Sequence, residues 1–222
     1  MDGHATKNGH GHDTETKAQD AVEHGENIRD AVRDITLEAL SAGALGAQQI
    51  REVVQAVFRG AARGVQRKDT RTEQALREVM AGMDDALAKA VEASRLAIEE
   101  AAGQVQKFGA KELWRGLEDL AILENLFLNT VTNTAQAARS AAGDILSDLV
   151  RHACITGTST GAATRAAVKK LTKSLGKDLR DYADSSAEAA QEAGNAIAMA
   201  AAGILEGIAK AMRKGGGPDA GR

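Results

Sequence analysis

Residues Leu113 to Val131 read LWRGLEDLAILENLFLNTV, the densest run of large apolar side chains in the chain, and they hold its only tryptophan, Trp114. Leu113, Leu117, Leu120, Leu123, Phe127 and Val131 recur at steps of three and four, which places them on one face of a helix. Most of the remaining chain offers alanine, valine and isoleucine to pack against that face. The spacing predicts a central amphipathic helix, with Leu113, Trp114, Leu117, Leu120, Leu123 and Phe127 as the contact residues through which the protein pairs with a partner or with itself.

The same rhythm extends outward. From Leu120 the central face continues through Thr134, Ala138, Ala142, Ile145 and Leu149. Upstream, Leu76, Met80, Met83, Leu87, Val91, Ser94, Ile98, Ala102 and Val105 form a second strip. Downstream, a third runs from Val168, Leu171, Leu175 and Leu179 to Ile197, Ala201, Ile204, Ile208 and Met212, with Ser186 its one polar member. Steps of three, four and four repeat every eleven residues, about 3.67 per turn, so such a seam stays nearly straight where a heptad would supercoil. A helix of about 50 residues would reach roughly 75 Å with one apolar strip along it.

Ahead of these strips, Ile28, Val32, Ile35 and Ala39 follow the capping residue Asn27, Gly43 and Gly46 interrupt, and Ile50, Val53, Val54, Val57, Phe58 and Ala61 form the next periodic set. The reading is all-α: a polar, disordered tail over residues 1–15, a short N-terminal helical hairpin over 16–68, three long antiparallel amphipathic helices over 69–213, and a glycine-rich tail over 214–222. Thr70 and Glu73 have capping-box spacing at the start of the first long helix.

Composition bounds the function. One proline in 222 residues leaves long helices unbroken, and 2% aromatic residues leave little apolar area per turn to bury. A bundle of this kind completes its burial against copies of itself or another apolar surface. The near-neutral net charge of -3 argues against a dedicated nucleic-acid binder. A single cysteine, Cys154, allows no intrachain disulfide and suits a reducing compartment. The first residues are polar, and the longest apolar run, Ala196 to Leu205, falls short of the roughly 20 residues a membrane span needs. A soluble, cytoplasmic protein is expected.

Two basic stripes are candidate surface-binding elements: Arg59, Arg63 and Arg67, and Lys169, Lys173 and Lys177, each four residues apart. A solvated face is the simplest reading of either stripe; Glu73, Glu78, Asp84, Asp85 and Glu92 are candidate intramolecular partners for the second, and anionic phosphate groups, as on a lipid surface, are the other alternative. No catalytic, cofactor-binding or metal-binding residue is expected. Gly157 to Gly161 lacks the Gly-Lys-Ser/Thr ending of a phosphate loop and no strand precedes it. His152 and Cys154 sit two apart, so on a helix they diverge. His4, His10, His12 and His24 match no structural metal spacing.

The segment Asp34 to Gly60 resembles the opening of a family of uncharacterised bacterial helical proteins, through Thr36-Leu37-x-Ala39-Leu40, Gly43-x-Leu45 and Ile50-Arg51-x-Val53 leading to Ala56-Val57. That resemblance implies a bacterial setting and no established activity. The alanine-rich remainder is similar in style to phasins, the helical proteins that coat polyhydroxyalkanoate granules, which implies a granule surface as a possible partner.

Overall fold

A computed structural model describes residues 5–65, 72–103, 110–138, 141–178 and 189–215. These are almost wholly α-helical, with no strand among the described residues: α1 (Ala5–His24), α2 (Ile28–Ser41), α3 (Ala47–Val65), α4 (Thr72–Ala102), α5 (Ala110–Ala121), α6 (Leu123–Ala138), α7 (Ala141–Thr156), α8 (Ser159–Asp178) and α9 (Ala189–Gly215).

The bundle is organised around α4. It is the longest helix and touches α2, α3, α5, α7, α8 and α9. The strip residues Leu76, Met80, Met83, Leu87, Val91 and Ile98 are all buried. So are Ala75, Val79, Ala86, Ala90, Ala93 and Ala97, so burial covers a broad arc of α4 and not one edge. A helix buried over that arc is surrounded by neighbours, as a helix on the outside is not. Alanine on the second flank lets those neighbours approach closely.

Three expectations need correction. The first concerns the tail. Residues from Ala5 onward form α1, and Thr14, Glu15, Ala18 and Val22 are buried against the rest of the fold. The polar composition misleads because α1 docks by backbone proximity. Gly60 and Gly64 of α3 lie under it, and a Cβ on Gly60 would stand 2.1 Å from the Glu15 carbonyl oxygen. The N-terminal helices are also not a two-helix hairpin: α1 packs chiefly on α3, and α2 chiefly on α4.

The second correction concerns the central helix, which is not continuous from Ala110 to the Thr156 region. A turn at Ile122 separates α5 from α6, although Ile122 and Leu126 keep their i−4 amide bonds at 3.2 and 2.9 Å. The chain then reverses between α6 and α7. Gly143 sits so close to α6 that a Cβ on it would lie 2.5 Å from the Ala135 carbonyl oxygen. In an unbroken helix those residues would be about 12 Å apart along the axis. After the reversal Leu146 and Val150 become the buried pair, and Ile145 and Leu149 are only partly covered.

The third correction is that α4, not the Leu113 to Val131 stretch, is the centre of the fold. Of the long last helix, α8 and α9 are described; Leu179, Tyr182 and Ser186, like Thr70, lie outside the described residues.

Candidate functional site

The leucine face predicted for contact is occupied from within. Leu113, Leu117, Leu120, Leu123 and Phe127 are all buried, the least covered at 5% exposure, beneath α3, α4, α8 and α9. Trp114 alone of the six candidates reaches the surface. The face remains apolar as read, but it closes on its own chain, so a second molecule cannot sit on it without opening the bundle. A cleft of about 80 Å³ at its edge is lined by Leu120, Leu123, Ile98, Ile50 and Ile197. Asp119 stands at the rim, exposed overall. Desolvation there pushes its carboxyl above the usual pKa, Glu118 adds to the rise, and Arg115 opposes it.

Two members of the first basic stripe share one acid within the fold. Arg63 lies 2.5 Å and Arg59 3.4 Å from the Glu15 carboxylate, which is buried between α1 and α3. Arg67 lies outside the described residues. The second stripe is different. Lys169 and Lys173 are exposed and make no ion pair among the described residues, and Lys177 falls in the last turn of α8. Their neighbours are the ones engaged: Lys170 lies 2.9 Å from Glu99, and Arg165 3.4 Å from Glu124.

The predicted acidic partners do other work. Asp84 of α4 accepts hydrogen bonds from the Ser159 and Thr160 amides at 2.7 and 2.8 Å, and its backbone carbonyl accepts from the Thr160 hydroxyl. Glu124 accepts from the Thr158 hydroxyl at 2.7 Å. The Asp84 carboxylate satisfies two free amides of α8, the Thr158 hydroxyl held by Glu124 accepts from a third, that of Gly161, and both acids complement the helix dipole. The Gly157 to Gly161 segment is therefore a helix start held by acids, a setting that repels phosphate; Gly157, at φ 84°, ends α7 in the left-handed conformation glycine favours. Asp85 holds Arg29 of α2 through two bonds, at 2.7 and 3.0 Å. Adjacent acids on α4 thus tie two different helices to it. Glu99 makes a third tie. Burial pushes its carboxyl up, but hydrogen bonds from Lys170 and Arg95 outweigh that and hold it below the usual value.

Cys154 and His152 are both exposed on α7. Among the described residues Asp20, Glu23 and His24 bring ligand atoms within 4.8 Å of one another at the end of α1, where Gln19 already donates to Glu23. No described helix is long and apolar enough to cross a membrane.

A sequence-family model matches residues 5–214, nearly the whole chain. The chain belongs to DUF6781, a family of unknown function. No curated protein and no solved structure matches it. The DUF6781 match begins at the residue where α1 begins and runs through α9, so the family pattern spans the docked N-terminal helix as well as the bundle.

Proposed function

We propose that this DUF6781 protein is a structural, non-catalytic interaction protein of the cytoplasm, an amphipathic helical bundle that self-associates. The observation that carries this reading is what the closed fold leaves outside. Trp114, Ile122, Met199 and Ile155 are exposed by 41%, 49%, 53% and 80%. Complete burial of one such side chain is worth roughly 1.5–3 kcal/mol. A chain with so few large apolar residues that leaves four of the described ones outside retains a driving force for a partner surface, and copies of itself are the simplest supply.

A second reading, a phasin-like coat on a lipid or polyester surface, has separate support. Lys169 and Lys173 are exposed on α8, where anionic groups can reach them. The α8 seam also carries buried hydroxyls, and the Thr164 hydroxyl has no hydrogen-bond partner among the described residues. An unsatisfied buried polar group costs about 1–3 kcal/mol, so α8 is a natural place for the bundle to open.

Sedimentation velocity over a wide concentration range tests the first reading. Mass that rises with concentration, with helicity unchanged, is the expected result; a monomer throughout contradicts it. Adding anionic vesicles or polyester particles to the same protein tests the second: co-sedimentation that Lys169→Glu with Lys173→Glu abolishes would favour coating over self-association.

A further inference from the structure

The seat of α1 on α3 is specific in shape and charge but small in apolar area. Gly60 and Gly64 clear it: an added Cβ would stand 2.1 Å from the Glu15 carbonyl oxygen and 2.9 Å from that of Gln19. Glu15, 8% exposed, is held there by Arg59 and Arg63. Of the described side chains of α1, only Ala18 and Val22 are both apolar and buried. A helix with so few buried apolar contacts is among the first to open locally.

Residues 25–27 connect α1 to α2. Lys17 pairs with Glu38 at 3.0 Å, so α1 folds back along α2. Helical bonding runs on to the Gly25 amide, 2.9 Å from the Ala21 oxygen, and is restored by the Ala31 amide, 3.1 Å from the Asn27 oxygen. The fold-back therefore interrupts only a few helical bonds. It also depends on glycine. A Cβ on Gly25 would stand 2.2 Å from the Ala21 carbonyl oxygen, a backbone atom of the same turn. A helix continued through position 25 would accept alanine there, and favour it over glycine.

We propose that this turn straightens and that α1 is exchanged between two copies, each α1 docking on α3 of the other. The exchange rests on the self-association reading and names the joint through which it occurs. With residues 25–27 helical, Ala5 to Ser41 form one helix of roughly 55 Å, and α1 points away from its own α3. The emptied seat has two glycines spaced for this backbone and two arginines set for Glu15. The α1 of a second copy brings the same backbone and the same acid. Reciprocal exchange closes about a two-fold axis and leaves neither seat open. The contacts of α1 re-form in trans, helical bonds are gained at the turn, and only the fold-back is given up.

The test is charge complementation between two variants. Glu15→Arg places a third cation beside Arg59 and Arg63, and Arg63→Glu places a second acid beside Glu15. Each alone is expected to undock α1 and lose helicity. An equal mixture, unfolded and refolded together, can build one native joint and one charge-reversed joint, but only by exchange, since neither chain can make either joint within itself. The mixture is expected to regain helicity and to sediment as a one-to-one dimer at concentrations about tenfold or more below those at which either variant associates alone. Gly25→Ala, which leaves the seat untouched, is expected to keep full helicity and to tighten association by a similar factor. A mixture that behaves as the sum of its two variants, or a Gly25→Ala protein that frays and associates no more tightly than the parent, overturns the exchange; a parent that still sediments as an oligomer then leaves self-association standing. Monomers at every concentration in parent, mixture and Gly25→Ala alike overturn both.

Discussion

Leu120→Asp is expected to cost on the order of 4 kcal/mol at neutral pH, enough to unfold a bundle of ordinary stability. Leu120 is 2% exposed and lies among Ile98, Leu123 and Ile197. None of these can pair with a carboxylate, and the adjacent Asp119 already has its pKa pushed up by desolvation. The introduced acid would have a folded-state pKa above its unfolded one, so the penalty of its ionisation is full above the folded-state pKa, shrinks as the pH falls from there, and is gone below the unfolded value. Leu120→Met, which keeps volume and apolarity, is expected to cost under about 1.5 kcal/mol. Urea denaturation followed by circular dichroism checks both. An aspartate variant with an unchanged midpoint would mean that α5 does not bury this face.

The second large effect is at Gly82, where the usual sign of a glycine replacement inverts. In an unobstructed helix, alanine for glycine stabilises by roughly 0.5–1 kcal/mol. At Gly82 a Cβ would stand 2.3 Å from the Arg29 carbonyl oxygen and 3.2 Å from the Arg33 nitrogen, both backbone atoms of α2 that cannot swing aside. Gly82→Leu is expected to force α2 off α4, to break the Arg29–Asp85 pair with it, and to cost about 3 kcal/mol or more. Gly11→Ala is the control: nothing lies within 4 Å of its Cβ, and it is expected to be neutral or stabilising. In thermal melts the Gly82→Leu midpoint should fall while that of Gly11→Ala stays or rises. A Gly82→Leu melt that matches or exceeds the parent contradicts the α2–α4 packing.

How legible these features were in the sequence depends on the physics behind each. Helical class follows from apolar spacing, and Leu76, Leu87, Leu113 and Phe127 are buried where that spacing put them, whereas Ile145, Leu149, Ile204 and Ile208 of the same strips are only partly covered. Chain reversal does not follow from it. A strip at steps of three and four continues across the α6–α7 turn because both helices bury a face, and period alone does not distinguish one long helix from two that fold back. Gly143 was the available signal, since a glycine inside a helical run marks either a break or a close crossing. The centrality of α4 was hidden by its alanines. Ala86, Ala90 and Ala97 carry too little area to register as a second apolar face, yet alanine is what permits neighbours on both sides. The helix start at Ser159 has no acid in its own first turn, and the acid that holds it is Asp84, 75 residues earlier, beyond any local rule. Of the surface residues, Trp114, Lys169 and Lys173 are exposed, whereas Arg59 and Arg63 are bound to Glu15, a residue assigned to a disordered tail.

The most direct test of a single chain closing its own apolar faces around α4 is native-state hydrogen exchange resolved by residue. The slowest amides are expected within Leu87 to Ile98 of α4, opening only with global unfolding, with those of Leu113 to Val131 exchanging faster because α5 and α6 are interrupted at Ile122. Slowest exchange in Leu113 to Val131, with α4 exchanging by local opening, would contradict it.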